Sequence, residues 1–80
     1  MTVRVLLFAS YADALGAPEV RVDVPDGARV RDVLARVQSM ATGKRIPDNP
    51  MVAVNQRYAE SDRVVAATDE VAIIPPVAGG

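Results

Sequence analysis

The sequence has no cysteine, no histidine and no tryptophan, and its aromatic residues are Phe8, Tyr11 and Tyr58. Disulfide bridges, cysteine nucleophiles, Ser-His-Asp triads and the usual zinc ligands are therefore excluded. The single lysine, Lys44, lies in a polar Gly-Lys-Arg segment, where we expect a solvated side chain rather than a catalytic amine. Few small proteins with this inventory catalyse a reaction alone, so the composition favours a carrier or a binding module.

Charge and hydropathy exclude further classes of protein. Nine basic and ten acidic residues give a net charge of −1, without the basic excess of a nucleic-acid-binding domain. No apolar run approaches the roughly 20 residues of a membrane span, and the apolar N-terminal segment is too short for a signal peptide. We therefore expect a cytoplasmic protein with no membrane or nucleic-acid partner. The acidic residues show no metal-ligand spacing, so no metal is expected.

The first half of the chain predicts two strands and two helices. Residues Thr2–Phe8 and Glu19–Val24 alternate with period two, the pattern of strands with an inward and an outward face. The charged Arg4 marks the outward face of the first strand, which also places Phe8 outward. Between the strands, Ser10–Gly16 predicts a short helix that its serine caps and its final glycine stops.

The main helix is predicted where apolar residues recur with helical spacing. This stripe consists of Val30, Val33, Leu34, Val37 and Met40. Gly43 is the predicted stop, whereas Arg29 stands where a serine or an aspartate would make a better cap.

Short strands and turns follow the main helix. Met51–Val54 predicts a strand that ends in the turn pair Asn55-Gln56, and Val64–Val65 predicts a brief extended piece. Glu70–Pro75 predicts the last strand, in which Ile74 falls on the outward face.

This order of elements predicts an α+β, ubiquitin-like β-grasp fold, a mixed sheet packed on one main helix. A split β-α-β fold is the alternative, and the single strong helix favours β-grasp. If the first and last strands are parallel neighbours at the centre, their apolar content suits cover on both faces. We expect one domain over residues 1–75 and an extended tail over residues 76–80, flexible at its Gly-Gly end.

The C-terminal segment Pro75-Pro76-Val77-Ala78-Gly79-Gly80 is the feature that suggests chemistry. Prolines cannot donate to a strand ladder, so the sheet is expected to end there. The last four residues are small and uncharged, and they could extend roughly 13–14 Å from the second proline. Such a thread suits a narrow tunnel in another protein, and its reactive group is the α-carboxylate of Gly80. An ordinary frayed terminus is the alternative, which the rigid Pro-Pro base and the β-grasp order disfavour.

Several segments resemble the sulfur-carrier small subunits of molybdopterin synthase. They are Ala53-Val54-Asn55-Gln56, Asp69-Glu70-Val71-Ala72, Val5-Leu6-Leu7-Phe8-Ala9 and, most specifically, the Pro-Pro-Val-Ala-Gly-Gly terminus. The resemblance implies that an E1-like enzyme uses ATP to adenylate Gly80 and that a sulfur donor then converts it to a thiocarboxylate. Sulfur would pass to cyclic pyranopterin monophosphate to form the molybdopterin dithiolene.

The resemblance also implies partners and site residues. Two small subunits would flank a dimer of large subunits, which would supply the catalytic lysine of this sulfurtransferase, and this chain would bind no cofactor directly. Gly79 would be the slim residue beside Gly80, and Phe8, Tyr58 and Ile74 would form an exposed docking patch. Tyr58 stands where an aliphatic residue is common, and a core position is the equal alternative for it.

One departure from the family and three alternative functions stay open. Thr68 stands where the family usually has glycine, and a positive φ there would strain a β-branched residue by roughly 1–2 kcal/mol. The alternatives are a ubiquitin-like modifier that forms amide bonds through Gly80, a sulfur carrier of the thiamin pathway, and a stand-alone binding module.

Overall fold

A computed structural model describes residues 1–41, 46 and 50–75. Within these residues the elements are β1 (Thr2–Leu7), α1 (Ala9–Leu15), β2 (Glu19–Asp23), α2 (Val30–Met40), β3 (Met51–Val54), β4 (Arg57–Tyr58) and β5 (Glu70–Ile74). The predicted stop at Gly43, the loop position of Lys44 and the predicted tail over residues 76–80 lie outside the described residues.

The strands form one sheet in the order β2-β1-β5-β3-β4. β1 and β5 are parallel neighbours at its centre, and the other neighbouring pairs are antiparallel. This mixed sheet with one long helix confirms the predicted α+β β-grasp fold.

One face of the sheet packs against α2 and forms the core. Alternate residues of the strands point to this face, as the period-two pattern predicts. The buried cluster comprises Val3, Val5, Leu7, Tyr11, Val22, Val24, Ala28, Val30, Val33, Leu34, Val37, Ile46, Val52, Val54, Val65, Val71 and Ile73. The predicted helical stripe is correct except at Met40, which is 48% exposed. Met40 is the last residue of α2 and lies beside Arg21 of the edge strand β2, away from the buried cluster.

The helix ends refine the predictions. The predicted cap at Ser10 is wrong, because α1 begins at Ala9 and Phe8 occupies the N-cap position. Gly16 ends α1 as predicted, with a φ of 74° that favours glycine. At the start of α2, the backbone N–H of Arg29 donates to the Asp32 carboxylate at 2.8 Å. The acidic side chain inside the first turn therefore reinforces a start that lacks a serine or aspartate cap.

Three strands end one residue before their predicted limits, and the turn after β3 is as predicted. β1 ends at Leu7 and β5 at Ile74, each one residue before the predicted limit, and Pro75 has no N–H to extend the ladder. β2 ends at Asp23 rather than at Val24. The pair Asn55-Gln56 is a turn as predicted, with φ values of 53° and 70°. It joins β3 to the two-residue β4, which is too short to show an alternating pattern.

The chain between β4 and β5 contains the predicted extended piece and the turn at Thr68. The predicted extended piece is confirmed as an isolated bridge between Val64 and Arg29. Among the described residues other than glycine, positive φ values occur at Ala9, Asn55 and Gln56 and not at Thr68. The turn before β5 therefore accommodates threonine without left-handed strain.

Candidate functional site

The outward face of the sheet carries a row of apolar side chains that the strand register places side by side. Leu6 of β1 pairs with Ala72 of β5, Ala72 pairs with Ala53 of β3, and Ala53 pairs with Tyr58 of β4. Residues paired across neighbouring strands point to the same face. The row therefore crosses four strands without a charged side chain.

A second apolar row lies next to the first, toward the C-terminal ends of β1 and β5. Ile74 pairs with Met51 of β3, which is 42% exposed. Because Leu7 pairs with Ile73, the following residue, Phe8, lies beside Ile74. Phe8 is 47% exposed, as expected for a residue that continues the outward parity of β1.

Residues of both rows line a surface concavity of about 370 Å³. It is lined by Leu6, Phe8, Ala53, Gln56, Tyr58, Glu70, Ala72 and Ile74. The three residues that the resemblance assigned to docking, Phe8, Tyr58 and Ile74, are thus brought together. We call Leu6, Phe8, Met51, Ala53, Tyr58, Ala72 and Ile74 the apolar patch.

Exposure distinguishes the alternatives for two of these residues. Tyr58 is 73% exposed, so it is a surface residue and not part of the core. Ile74 is half-buried on the face opposite Ile73, which is fully buried. The expectation that both faces of the central strands are covered is wrong, because the described residues supply a helix to one face alone. That the patch binds a partner stays a prediction.

Sequence reasoning missed several members of the patch. Leu6 shares its parity with Arg4 and Phe8, and Ala72 shares its parity with Ile74, so the period-two pattern carried the signal for both. Ala53 and Met51 could not be assigned in the same way. Their places depend on the pairing of β3 with β5, a contact between distant segments.

Charged residues border the apolar patch on the side away from Pro75. The Arg4 guanidinium lies 2.8 Å from the Glu70 carboxylate and 3.6 Å from that of Glu19, which lies 4.0 Å from Arg21. The border contains two positive and two negative side chains, so its charges balance. Because these pairs are largely exposed, we expect little stability from them.

The polarity of the outward face therefore changes along β1 and β5. It is charged at Arg4 and Glu70, and apolar at Phe8 and Ile74. Pro75 is half-buried and follows Ile74 directly. The chain thus leaves the sheet at the apolar end of this face. The other predicted tail residues, Pro76, Val77, Ala78, Gly79 and Gly80, lie outside the described residues.

The described part of the chain offers neither a metal centre nor a membrane-spanning helix. Residues 1–41, 46 and 50–75 contain no group of three or more acidic, histidine or cysteine side chains arranged to hold a metal ion. Neither helix in these ranges is long and apolar enough to cross a membrane. The candidate functional site is therefore the apolar patch beside β5.

Comparison with known proteins relates this arrangement to a family. The family model described as the ThiS family matches residues 5–80. A molybdopterin synthase sulfur carrier subunit from Drosophila erecta is 37% identical over 83 residues, which cover 100% of this chain and 92% of the relative.

Two solved structures extend the comparison. SAMP1 from Haloferax volcanii, a small archaeal modifier protein, is 31% identical with a TM-score of 0.83, and the match covers 100% of both chains. A chain from the complex of subunits 1 and 2 of the molybdopterin-converting factor of Helicobacter pylori is 18% identical with a TM-score of 0.69, again over 100% of both chains. The second likeness concerns the fold alone.

Proposed function

Because this chain belongs to the ThiS family, we propose that it is the sulfur-carrying subunit of a molybdopterin synthase and that Gly80 carries the sulfur. The observation that supports this most directly is the apolar patch at the end of β5, where the segment ending in Gly79-Gly80 leaves the sheet. The name of the Drosophila relative points to the same role. Docking through a surface and reacting through a terminus requires no catalytic side chain on this chain.

The proposed chemistry proceeds through activation of the terminal carboxylate. The Gly80 carboxylate attacks the α-phosphorus of ATP on an E1-like enzyme, and pyrophosphate leaves. Sulfide-level sulfur from a donor then attacks the acyl carbon, AMP leaves, and a thiocarboxylate forms. The thiocarboxylate sulfur then displaces an oxygen substituent of cyclic pyranopterin monophosphate, and water cleaves the resulting acyl–sulfur bond, which leaves the sulfur on the pterin and restores the Gly80 carboxylate. The uncharged residues Val77, Ala78 and Gly79 suit entry of this terminus into a narrow active site.

The apolar patch is the proposed docking surface for the large subunit. Phe8, Tyr58 and Ile74 line one concavity, and exposed aromatic residues are common anchors of protein interfaces. The balanced charges around Arg4 would form the polar rim of that interface. We propose a heterotetramer in which each small subunit inserts Gly80 into the large subunit.

Intact mass after co-expression with a cognate E1-like enzyme and its sulfur donor tests the proposal. The mass should rise by the exchange of one oxygen for one sulfur, and tandem mass spectrometry should place the change on Gly80. A chain that lacks Gly79 and Gly80 is the matched control and should keep its mass. An unchanged mass of the full chain, with the activating enzyme shown to be active, would contradict the sulfur-carrier role.

A protein modifier is the second candidate, and the likeness to SAMP1 favours it. In that role the activated Gly80 would form an amide with a lysine of another protein. Conjugates of higher mass that disappear when Gly79 and Gly80 are deleted would support it. Because Lys44 is the single lysine, the Lys44→Arg variant separates conjugation to other proteins from conjugation through this side chain.

A further inference from the structure

Asn55, in the turn between β3 and β4, connects this turn to the start of β5. Its side-chain Nδ2 donates to the Asp69 carboxylate at 2.8 Å, and its Oδ1 accepts the backbone N–H of Glu70 at 2.9 Å. Its own backbone N–H donates to the Glu70 carbonyl at 2.8 Å. Both the nitrogen and the oxygen of the Asn55 side-chain amide are thus hydrogen-bonded to residues at the start of β5.

Asp69 is itself fixed, so it provides a defined partner for Asn55. Its second carboxylate oxygen accepts the backbone N–H of Ala66 at 2.8 Å and lies 3.6 Å from the Arg63 guanidinium. The Asp69 side chain is 15% exposed. These bonds to the charged form lower the pKa of the Asp69 carboxyl, those from Ala66 and Asn55 most strongly. The carboxylate is therefore ionised at neutral pH and accepts hydrogen bonds from both segments.

The turn that Asn55 fixes carries one side of the apolar patch. β4 contains two residues, lies at the edge of the sheet, and holds Tyr58 opposite Ala53. Beyond β4, the Ala59 N–H donates to the Val52 carbonyl at 2.9 Å. So short an edge strand has few bonds of its own, and the position of Tyr58 opposite Ala53 depends on how the turn is held.

We propose that Asn55 is a positioning residue of the docking surface. Through Asp69 and Glu70 it fixes the hairpin that carries Tyr58 against β5, and it thereby sets the shape of the apolar patch before a partner binds. A preformed surface binds more tightly because less conformational entropy is lost on association. The binding part of this inference rests on the proposed function.

Two variants test the inference, and they remove the amide contacts in different ways. Asn55→Gly keeps the positive φ of the turn and removes both side-chain bonds. We expect it to bind the molybdopterin synthase large subunit about tenfold more weakly in calorimetry. Val33→Ala is the control, because it weakens the core on the opposite face of the sheet. It should lower Tm while it leaves that affinity unchanged.

Asn55→Asp supplies a readout that a general loss of stability would not give. At neutral pH the introduced carboxylate would face the Asp69 carboxylate, with Arg63 as the nearby cation and Glu70 engaged by Arg4. On protonation it could donate a hydrogen bond again. The ratio of this variant's affinity to that of the wild type should be low at about pH 7.5 and should rise as the pH falls to about pH 4.5.

Nuclear magnetic resonance distinguishes failure of this inference from failure of the proposed function. Contacts between the Tyr58 ring and the Ala53 methyl group, which the strand pairing places opposite each other, should weaken in both Asn55 variants and persist in Val33→Ala. If they weaken but the wild type does not bind the large subunit, the positioning role stands and the proposed function fails. If they persist and binding by Asn55→Gly stays within about twofold of the wild type, the positioning role is wrong.

Discussion

Replacing Gln56 with glycine should stabilise this protein, although most substitutions destabilise a protein. Gln56 is the second residue of the β3–β4 turn and has a φ of 70°. Two-residue hairpin turns with positive φ at both positions strongly favour glycine there, as in Asn-Gly. A left-handed conformation costs an L-residue roughly 1–2 kcal/mol, and glycine avoids this cost.

The gain is reduced by the unfolded state. Glycine gives the unfolded chain more freedom, which lowers stability by about 0.4–1 kcal/mol. The difference leaves a net increase of about 0.5–1 kcal/mol in the free energy of unfolding. For a domain of this size, that corresponds to a rise in Tm of about 2–8 °C. Urea unfolding followed by circular dichroism would measure it, with an unchanged m-value showing that the folded and unfolded states are otherwise alike.

Thr68→Gly is the matched control, because it introduces the same residue into another turn. The family resemblance favours glycine at this position, but Thr68 does not have a positive φ. Glycine there relieves no strain and should lower the free energy of unfolding by about 0.4–1 kcal/mol. Destabilisation by Gln56→Gly, or an equal stabilisation by Thr68→Gly, would refute left-handed strain at Gln56.

The remaining predictions concern the two faces of the sheet and the loss of stability at acid pH. Ile73→Ala should cost about 2–5 kcal/mol in urea unfolding because Ile73 is fully buried, whereas Ile74→Ala on the outward face should cost about 1 kcal/mol or less. Equal losses would contradict the assignment of faces. Phe8→Asp should abolish binding to the large subunit in calorimetry with a loss of unfolding free energy of about 0.5 kcal/mol or less, because aspartate suits the N-cap position of α1, and Met40→Asp, at similar exposure, should leave binding intact. Because hydrogen bonds lower the pKa of Asp69 in the folded state, its contribution is present above the unfolded pKa and is lost as pH falls through the folded pKa. Urea unfolding below about pH 4 should therefore show a shallower loss of stability in Asp69→Asn than in the wild type, and parallel curves would count against the role of this carboxylate.

The fold was predictable because its information is local. Period-two alternation marked three strands, and the spacing from Val30 to Val37 marked the main helix, as the buried residues confirm. The order of these elements then left few architectures to consider. The errors occur where local patterns end. Met40 continues the helical spacing but lies past the buried cluster, and the two-residue β4 is defined by its pairing with β3 rather than by its own sequence.

The candidate site was predictable only in part, for a related reason. Phe8 and Ile74 could be placed outward because each shares its strand's parity with a recognisable neighbour. Tyr58 could not be placed, since no alternating pattern surrounds it, and its exposure follows from the hairpin that Asn55 and Gln56 form. The hydrogen bonds between Asn55 and Asp69 join residues 14 positions apart. Sequence spacing alone gives no reason to pair them.

The apolar patch is poorly explained by the stability of the fold. The inward residues of β1 and β5 already belong to the buried cluster that includes α2, so Leu6, Ala72 and Ile74 add little to that core. Polar side chains at these positions would satisfy the alternating pattern of a half-solvated sheet and would reduce the risk of aggregation. The same strands do carry such residues at Arg4 and Glu70, one pleat away. Polarity therefore changes within a strand where the packing of the fold does not require it, and it becomes apolar toward Pro75, at the end of β5. The proposed contact with another protein would account for a surface arranged in this way, and the unequal costs expected for Ile73→Ala and Ile74→Ala test that separation of roles.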